Sequence, residues 1–390
     1  MCKTKWSISD SAKAAARGSR VPPGALTLRS MTTTTCVGLE RWPHTRNSCF
    51  TTSPAFIVQL SMASRYSSAH QNPHGAGDQR PTAQEVISDE ERTDNLHGKV
   101  VLITGCSSGI GVETARALFA TGAELYLTAR DVDKARKALP ELGAVDRVHF
   151  LQLELNSLRS VQNCVQHFMK DQKKLNILVC NAGVMHTPFE HTVDGFEQQF
   201  GINFLAHFLL FTLLESALLS GVSSDFASRV VVVSSSGHRI AGVDFDDINF
   251  STREYNGWLS YGQSKTACIY LANEIERRYG ARGVHGLSLH PGSIFSGLQK
   301  TVPSRMRAQW KDENVLKVIK SPAQGASTSV FAAVARSLEG KGGLYLEDCS
   351  VSSPVKDGAQ SRDPGYAPYA FDQEKAQRLW DLASEMITRC

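Results

Sequence analysis

The 390-residue sequence predicts the α/β fold class, with a single doubly wound parallel sheet of about seven strands and helices on both faces. From about residue 98, short β-branched runs alternate with longer helical patterns. The runs are apolar almost throughout, as strands buried on both faces of a parallel sheet require. The first run also leads through a glycine-rich turn directly into a helix, which is how parallel strands are connected.

In chain order, strands are expected at 99–104 (KVVLIT), 124–128 (ELYLT), 147–153 (RVHFLQL), 175–180 (LNILVC), 229–234 (RVVVVS), 284–290 (VHGLSLH) and 342–347 (GGLYLE). Helical patterns fall near 109–121, 132–139, 158–170, 194–220, 259–280 and 322–336, and an amphipathic helix closes the chain. The most apolar stretch, FLAHFLLFTLLESALL at 204–219, is interrupted by His207 and Glu215 and is shorter than the roughly 20 apolar residues a bilayer span needs. It reads as a buried helix, and no stable membrane span is expected.

Residues 1–96 differ in character from the rest. Ser, Thr, Arg, Pro and His are frequent there, without a lasting apolar period, so disorder is expected up to 96 and the folded domain from 97 to 390. Residues 1–61 carry eight Lys or Arg against Asp10 and Glu40, a balance like that of a mitochondrial presequence. Met62 opens MASRYSSAH, a plausible start, and residues 1–61 are read as an over-extended gene model. The location expected is cytoplasmic, or mitochondrial if residues 1–61 are translated. The net charge of +4 lies in that segment, so the remainder offers no basic face to nucleic acid. Nine scattered cysteines, with no CxxC and no Cys/His ligand spacing, argue against a disulfide framework or a metal site.

The chemistry lies at strand ends. TGCSSGIG (104–111) puts glycines at 105, 109 and 111, where the backbone can turn tightly and approach a pyrophosphate at a helix N-terminus. The spacing is G-x-x-x-G-x-G, unlike the more familiar dinucleotide fingerprint. After the second strand, LTARD has Ala129 where a carboxylate would accept the ribose 2′-hydroxyl, followed by Arg130. A guanidinium there suits a 2′-phosphate, so NADP is expected, with Asp131 weighing against it. CNAG (180–183) ends the fourth strand beside the cofactor crevice. Asn203 faces the apolar side of the next helix, where a buried amide needs partners, structural or catalytic. The fifth strand ends in SSSGHR, and Tyr261 stands four residues before Lys265 in SYGQSKTACI. A serine from the strand and a Tyr–Lys pair one helical turn apart can converge on one carbonyl. The lysine's positive charge would make a phenolate accessible during proton exchange.

Taken in order, these motifs resemble the short-chain dehydrogenase/reductase family over about residues 97–298, in the branch of the retinol dehydrogenases and the WW-domain oxidoreductase. The resemblance implies a Rossmann-type fold and a tetrad of Asn203, Ser235, Tyr261 and Lys265. Tyr261 would be the acid–base, Lys265 would hold the nicotinamide ribose, Ser235 would polarise the carbonyl, and Asn203 would hold a proton-relay water. Ser235 is chosen as the second of the family's serine pair. For the cofactor the resemblance implies Gly105, Ser107, Ser108, Gly109, Ile110 and Gly111 of the turn, Arg130, Glu154 and Leu155 after the next strands, and Asn181, Ala182 and Gly183. Tyr261, Lys265, Pro291, Gly292, Ile294 and Ser296 would complete it. No metal is implied, and pairing into homodimers or homotetramers through the two long central helices is.

The expected reaction is hydride transfer between NADP and a carbonyl or alcohol. A lid at 293–321, rich in Ile294, Phe295, Leu298, Val302, Met306 and Trp310, points to a lipophilic substrate, unless these side chains only pack the lid. The alternative is a catalytically silent NADP-binding scaffold or sensor. The intact Tyr–Lys spacing argues against it.

Overall fold

Eight strands form one sheet: β1 (Val100–Thr104), β2 (Glu124–Ala129), β3 (Val148–Gln152), β4 (Ile177–Cys180), β5 (Ser228–Val233), β6 (Val284–His290), β7 (Leu344–Glu347) and β8 (Ser350–Val351). Their order is β3-β2-β1-β4-β5-β6-β7-β8, parallel except for the antiparallel pair β7/β8. The computed structural model describes residues 65–358 and 363–389, which lie within one compact unit, Gln59–Cys390.

Alternate residues of the central strands feed two cores. Leu102, Leu178, Val230 and Val232 point into one, which holds helices α4 (Leu158–Asp171), α5 (Ala206–Gly221), α6 (Gly257–Tyr279) and α8 (Gln373–Thr388). Ile103, Leu127, Val179 and Val231 point into the other, which holds α1 (Ala83–Asp89), α2 (Ile110–Phe119) and α7 (Pro322–Val334). Burial on both faces explains why every residue of β1, β4 and β5 is apolar or fully enclosed. The remaining main helix, α3 (Val132–Ala138), follows β2.

The helix expected at 194–220 spans Gln198–Gly221 and is not α-helical throughout. A π-helical turn, Gly201–Leu205, separates a short turn at Gln198–Phe200 from α5. Such bulges reorient side chains, and this one carries Asn203. The run Gln198–Gly221 is the one described helix long and apolar enough to cross a membrane, but 72% of its most apolar window is buried within the protein. The apolar stretch is a core helix.

The expected domain boundary near 97 needs correction. Residues 65–96 are ordered and pack on the second core through Tyr66, Val86, Ile87 and Leu96. The expectation for residues 1–64 lies outside the described residues. Within 65–96 too few apolar residues are present for a period to be visible in the sequence. Besides that packing, two buried arginines, Arg80 and Arg92, hold this segment by donating to backbone carbonyls. At the other end of the chain, Trp380 of α8 packs edge-on against Phe208 and Phe211 of α5 at 5.0 and 5.9 Å between ring centroids, with Arg278 4.5 Å above its ring. Part of the long-helix surface expected to pair subunits is thus covered by the chain's own last helix.

Candidate active site

The glycine turn joins β1 to α2 with Gly105 and Gly109 at φ +79° and +63°. A Cβ on Gly111 would lie 2.2 Å from the Gly105 carbonyl oxygen, so the helix must begin with a bare backbone. The Asn181 amide donates to the carbonyls of Thr104 (2.8 Å) and Gly105 (3.4 Å) and so braces the turn from the end of β4. Beside it lies a cleft of about 520 Å³ lined by the whole expected cofactor set of this end: Gly105, Ser107, Ser108, Gly109, Ile110 and Gly111, then Arg130, Glu154, Leu155, Asn181, Ala182 and Gly183.

Arg130 is largely exposed and lies 3.6 Å from Glu154. Asp131 also lines the cleft, and one oxygen of its carboxylate caps α3 by accepting from the Lys134 amide at 2.9 Å. Lys134 joins Arg130 on the cleft wall, a cation that no sequence motif marks.

A second cavity of about 930 Å³ shares Ile110, Asn181, Gly183, Met185, Ser296 and Leu298 with the first. It is lined by Ser235, Tyr261 and Lys265, and by Pro291, Gly292 and Ile294 after β6. The expected residues of both groups therefore meet, although far apart in sequence. Tyr261, 4% exposed, packs beside Met185 and Val302, with Trp258 edge-on at 6.4 Å. Lys265 donates to the Val233 carbonyl at 2.9 Å, with its ammonium 5.8 Å from the Tyr261 ring centroid. Three serines end β5, and their bonds separate them. Ser234 donates to the Lys265 carbonyl at 2.7 Å and is buried. The Ser235 Oγ accepts from the Gly237 amide at 3.0 Å, which leaves its proton for a ligand. Gly237 is bare for good reason: a Cβ there would meet Tyr261 at 2.7 Å.

Asn203 stands behind this wall. Its amide oxygen accepts from the Val184 amide (2.8 Å), and its nitrogen donates to the Val184 carbonyl and to Ser264 Oγ, both at 2.9 Å. These bonds tie the side chain to the turn after CNAG and to α6, and both of its N–H donors are used. Its carbonyl accepts from His207 Nδ1 at 3.0 Å. That fixes the tautomer, and Nε2 takes the Thr104 hydroxyl at 3.0 Å, while Thr104 Oγ1 accepts from the amides of Asn181 and Ala182 at 2.9 Å. Burial pushes His207 down to about 4. His207, Thr104 and Ser264 escaped the sequence reading, though a histidine inside FLAHFLL was a visible signal that a buried polar partner exists.

His238 is a second support. Its Nδ1 donates to the Ser235 carbonyl at 2.6 Å and its Nε2 accepts the Ala367 amide at 3.0 Å, tying the serine strand to the C-terminal segment. Val355, Lys356 and Pro368 of that segment line the second cavity. The lid forms short helical turns at Gly297–Thr301, Ser304–Ala308, Gln309–Lys311 and Glu313–Val318. Val302, Leu298, Met306 and Trp310 form an apolar cluster with Tyr261, of which Leu298 and Trp310 also line the cavity, whereas Phe295, another lining residue, is 47% exposed.

With this geometry in view, the family model described as short chain dehydrogenase matches residues 99–307. The chain belongs to the short-chain dehydrogenase family. This short-chain dehydrogenase is 46% identical over 336 residues to the short-chain dehydrogenase/reductase prx1 of Penicillium roqueforti, covering 86% of this chain and 98% of that one. It is 35% identical over 313 residues to retinol dehydrogenase 11 of Mus musculus, covering 79% and 92%. Among solved structures, an uncharacterized protein from Mycobacterium paratuberculosis aligns with a TM-score of 0.57 and 29% identity, over 77% of this chain and 97% of that one. The family is one of oxidoreductases that bind a nicotinamide cofactor. The same fold, at 20% and 21% identity, appears in a Pseudomonas aeruginosa RhlG complex with NADP and a Brucella melitensis 3-ketoacyl-(acyl-carrier-protein) reductase complex with NADH.

Proposed function

We propose that the protein is an NADP(H)-dependent oxidoreductase that moves hydride between nicotinamide and the carbonyl or alcohol carbon of a lipophilic small molecule. The observation that carries this reading is the convergence of Ser235, Tyr261 and Lys265 on one cavity that adjoins the glycine-turn cleft. The chain's residues fit such a cofactor, since the bare backbone at Gly105, Gly109 and Gly111 provides the close approach a pyrophosphate needs at the start of α2. Arg130 and Lys134 on the wall of the cleft favour a 2′-phosphate, and the use of one Asp131 oxygen as a helix cap lessens its weight as a ribose acceptor. The apolar lid side chains around Tyr261 favour a lipophilic substrate.

When bound, the nicotinamide supplies or accepts the hydride. The chain's own residues manage the oxygen. Ser235 donates its free proton to the carbonyl oxygen and orients it. Tyr261 gives its phenolic proton to that oxygen in reduction and takes it back in oxidation. The Lys265 ammonium, held by the Val233 carbonyl, supplies the positive charge that favours the phenolate. Asn203, Thr104 and His207 keep the β4 turn in register with α6.

Purified protein, incubated with NADPH and a panel of aromatic and aliphatic ketones, is expected to consume NADPH. Tyr261→Phe is expected to abolish turnover while NADPH fluorescence still reports binding. Binding by the wild type without turnover on any ketone or alcohol would overturn the reading in favour of a scaffold.

A further inference from the structure

The lid leaves β6 at residue 291 and returns to the core at residues 318–321, where α7 begins, and its returning end is held in an unusual way. Lys320 donates its backbone amide to the Ser293 carbonyl at 2.8 Å, so the two ends of the lid are bridged side by side. The side chain of Lys320 then runs under Gly292, where a Cβ would meet it at 2.7 Å, and ends on Asp348 at 2.7 Å. Val318 and Ile319, just before it, line the cavity that holds Tyr261. Val318 ends the helical turn Glu313–Val318 and Ile319 caps it, so their carbonyls have no helical partners and need other donors.

The donors come from a segment more than 230 residues earlier. Arg80, 4% exposed, donates through Nη1 to the Val318 carbonyl at 2.8 Å and through Nη2 to the Ile319 carbonyl at 2.7 Å. The fork is held from behind by the Asp78 carboxylate at 2.8 Å and by the Gly75 carbonyl at 3.0 Å. The same segment reaches the next turn twice more. Gln324, 1% exposed, donates to the carbonyls of Asp78 (3.0 Å) and Arg80 (2.9 Å) and accepts from the Gly77 amide (2.9 Å). His70 lies 3.1 Å from the carboxylate of Asp348 that Lys320 also engages. A guanidinium suits this task because one planar group serves two successive carbonyls with fixed geometry.

We infer that residues 66–82 are a clamp built into the chain that sets the position of the substrate lid, with Arg80 as its positioning residue. Arg80 touches neither cofactor cleft nor substrate cavity; it acts through the backbone of Val318 and Ile319. The inference rests on the proposed function only in calling the cavity a substrate site, while the clamp itself is read by a measurement that needs no turnover.

Hydrogen exchange of the amides at 297–320 is that measurement, with Arg92 as the control. Arg92 is also buried and also ties the N-terminal segment to α7, donating to the Val334 carbonyl at 3.0 Å at the end of the helix remote from the lid. In Arg80→Gln, lid amides are expected to exchange about tenfold faster, the KM for a ketone to rise by a similar factor, and kcat and NADPH affinity to change less than about threefold. Arg92→Gln is expected to lower the melting temperature without accelerating the lid. Arg80→Lys, which keeps the charge but not the fork, is expected to fall between wild type and Arg80→Gln, and it carries the test alone if Arg80→Gln does not fold. Wild-type lid exchange in the Arg80 variants, or equal acceleration in Arg92→Gln, would overturn the clamp. An absence of ketone turnover in every variant would count against the proposed function and leave the exchange result to decide the clamp.

Discussion

Lys265 and Ser234 exchange backbone contacts across the end of β5: the lysine ammonium donates to the carbonyl of Val233 at 2.9 Å, and the Ser234 hydroxyl donates to the lysine's own carbonyl at 2.7 Å. The pair locks α6 to the strand that bears Ser235, so the side chain beside Tyr261 is a fixed charge rather than a mobile one. Lys265→Met is expected to reduce kcat/KM by about two to four orders of magnitude, the range for an acid–base group and its support. Steady-state kinetics with NADPH and the best ketone of the panel check this. A loss below tenfold would mean that the phenol works without the ammonium.

Cofactor choice should follow Arg130 and Lys134. Each charge-assisted bond to a phosphate contributes roughly 1.5–3 kcal/mol, so the double variant Arg130→Ala/Lys134→Ala, which removes two, is expected to lose about two orders of magnitude or more in kcat/KM for NADPH. The value for NADH should stay within about threefold, since neither cation has a phosphate to meet there. Parallel losses with both cofactors would show that the two residues support the fold rather than the 2′ position.

Gly111→Ala tests the turn directly. The added methyl would sit 2.2 Å from the Gly105 carbonyl oxygen and 2.7 Å from the Asn181 amide, neither of which can retreat without breaking the turn. A loss of about 1–3 kcal/mol in unfolding free energy is expected, with NADPH binding weakened further. Gly143→Ala is the matched control, because its nearest neighbour would be 3.6 Å away. Chemical denaturation and fluorescence titration of both variants read the contrast.

Stability should fall on acidification. Burial pushes His207 and His238 down to about 4 and His290 down to about 3, so the unfolded chain binds protons below pH 6.5 that the folded chain refuses. Their contributions are complete above that pH and are lost as pH drops towards the folded values. Glu347 acts in the opposite sense: burial pushes it up to about 7, so its contribution is present below 4.5 and lost as pH rises through 7. With three groups against one, the unfolding free energy is expected to decrease from pH 6.5 to 4 by up to about 2–3 kcal/mol per pH unit at the steepest. Urea titrations across this range measure it, and His238→Gln should flatten the slope. A curve that is level or rises towards pH 4 would contradict the assignment.

The strands were legible because double burial writes unbroken apolar runs, and β1, β4 and β5 are enclosed on both sides as those runs required. The glycine turn and the Tyr261–Lys265 spacing were legible because few other structures need them. The choice among Ser234, Ser235 and Ser236 was not a property of the strand's pattern; it depends on the carbonyl of Lys265, thirty-one residues from Ser234. The docking of residues 65–96 was hidden for a similar reason. Apolar periodicity marks helices that bury a stripe of side chains, whereas Arg80 and Arg92 attach their segment through guanidinium bonds to backbone, which leave no pattern in either partner. The bulge at Gly201–Leu205 likewise arises from what Asn203 must reach, in a stretch whose composition reads as one uniform helix.

The bond between His238 and the Ala367 amide reaches beyond local packing. It makes the carbonyl of Ser235, and with it the aim of the serine, depend on a segment 129 residues away from His238 in the chain. The glycine turn and the serine thereby answer to different parts of the chain, so a change near residue 367 would shift the serine and leave the turn as it is.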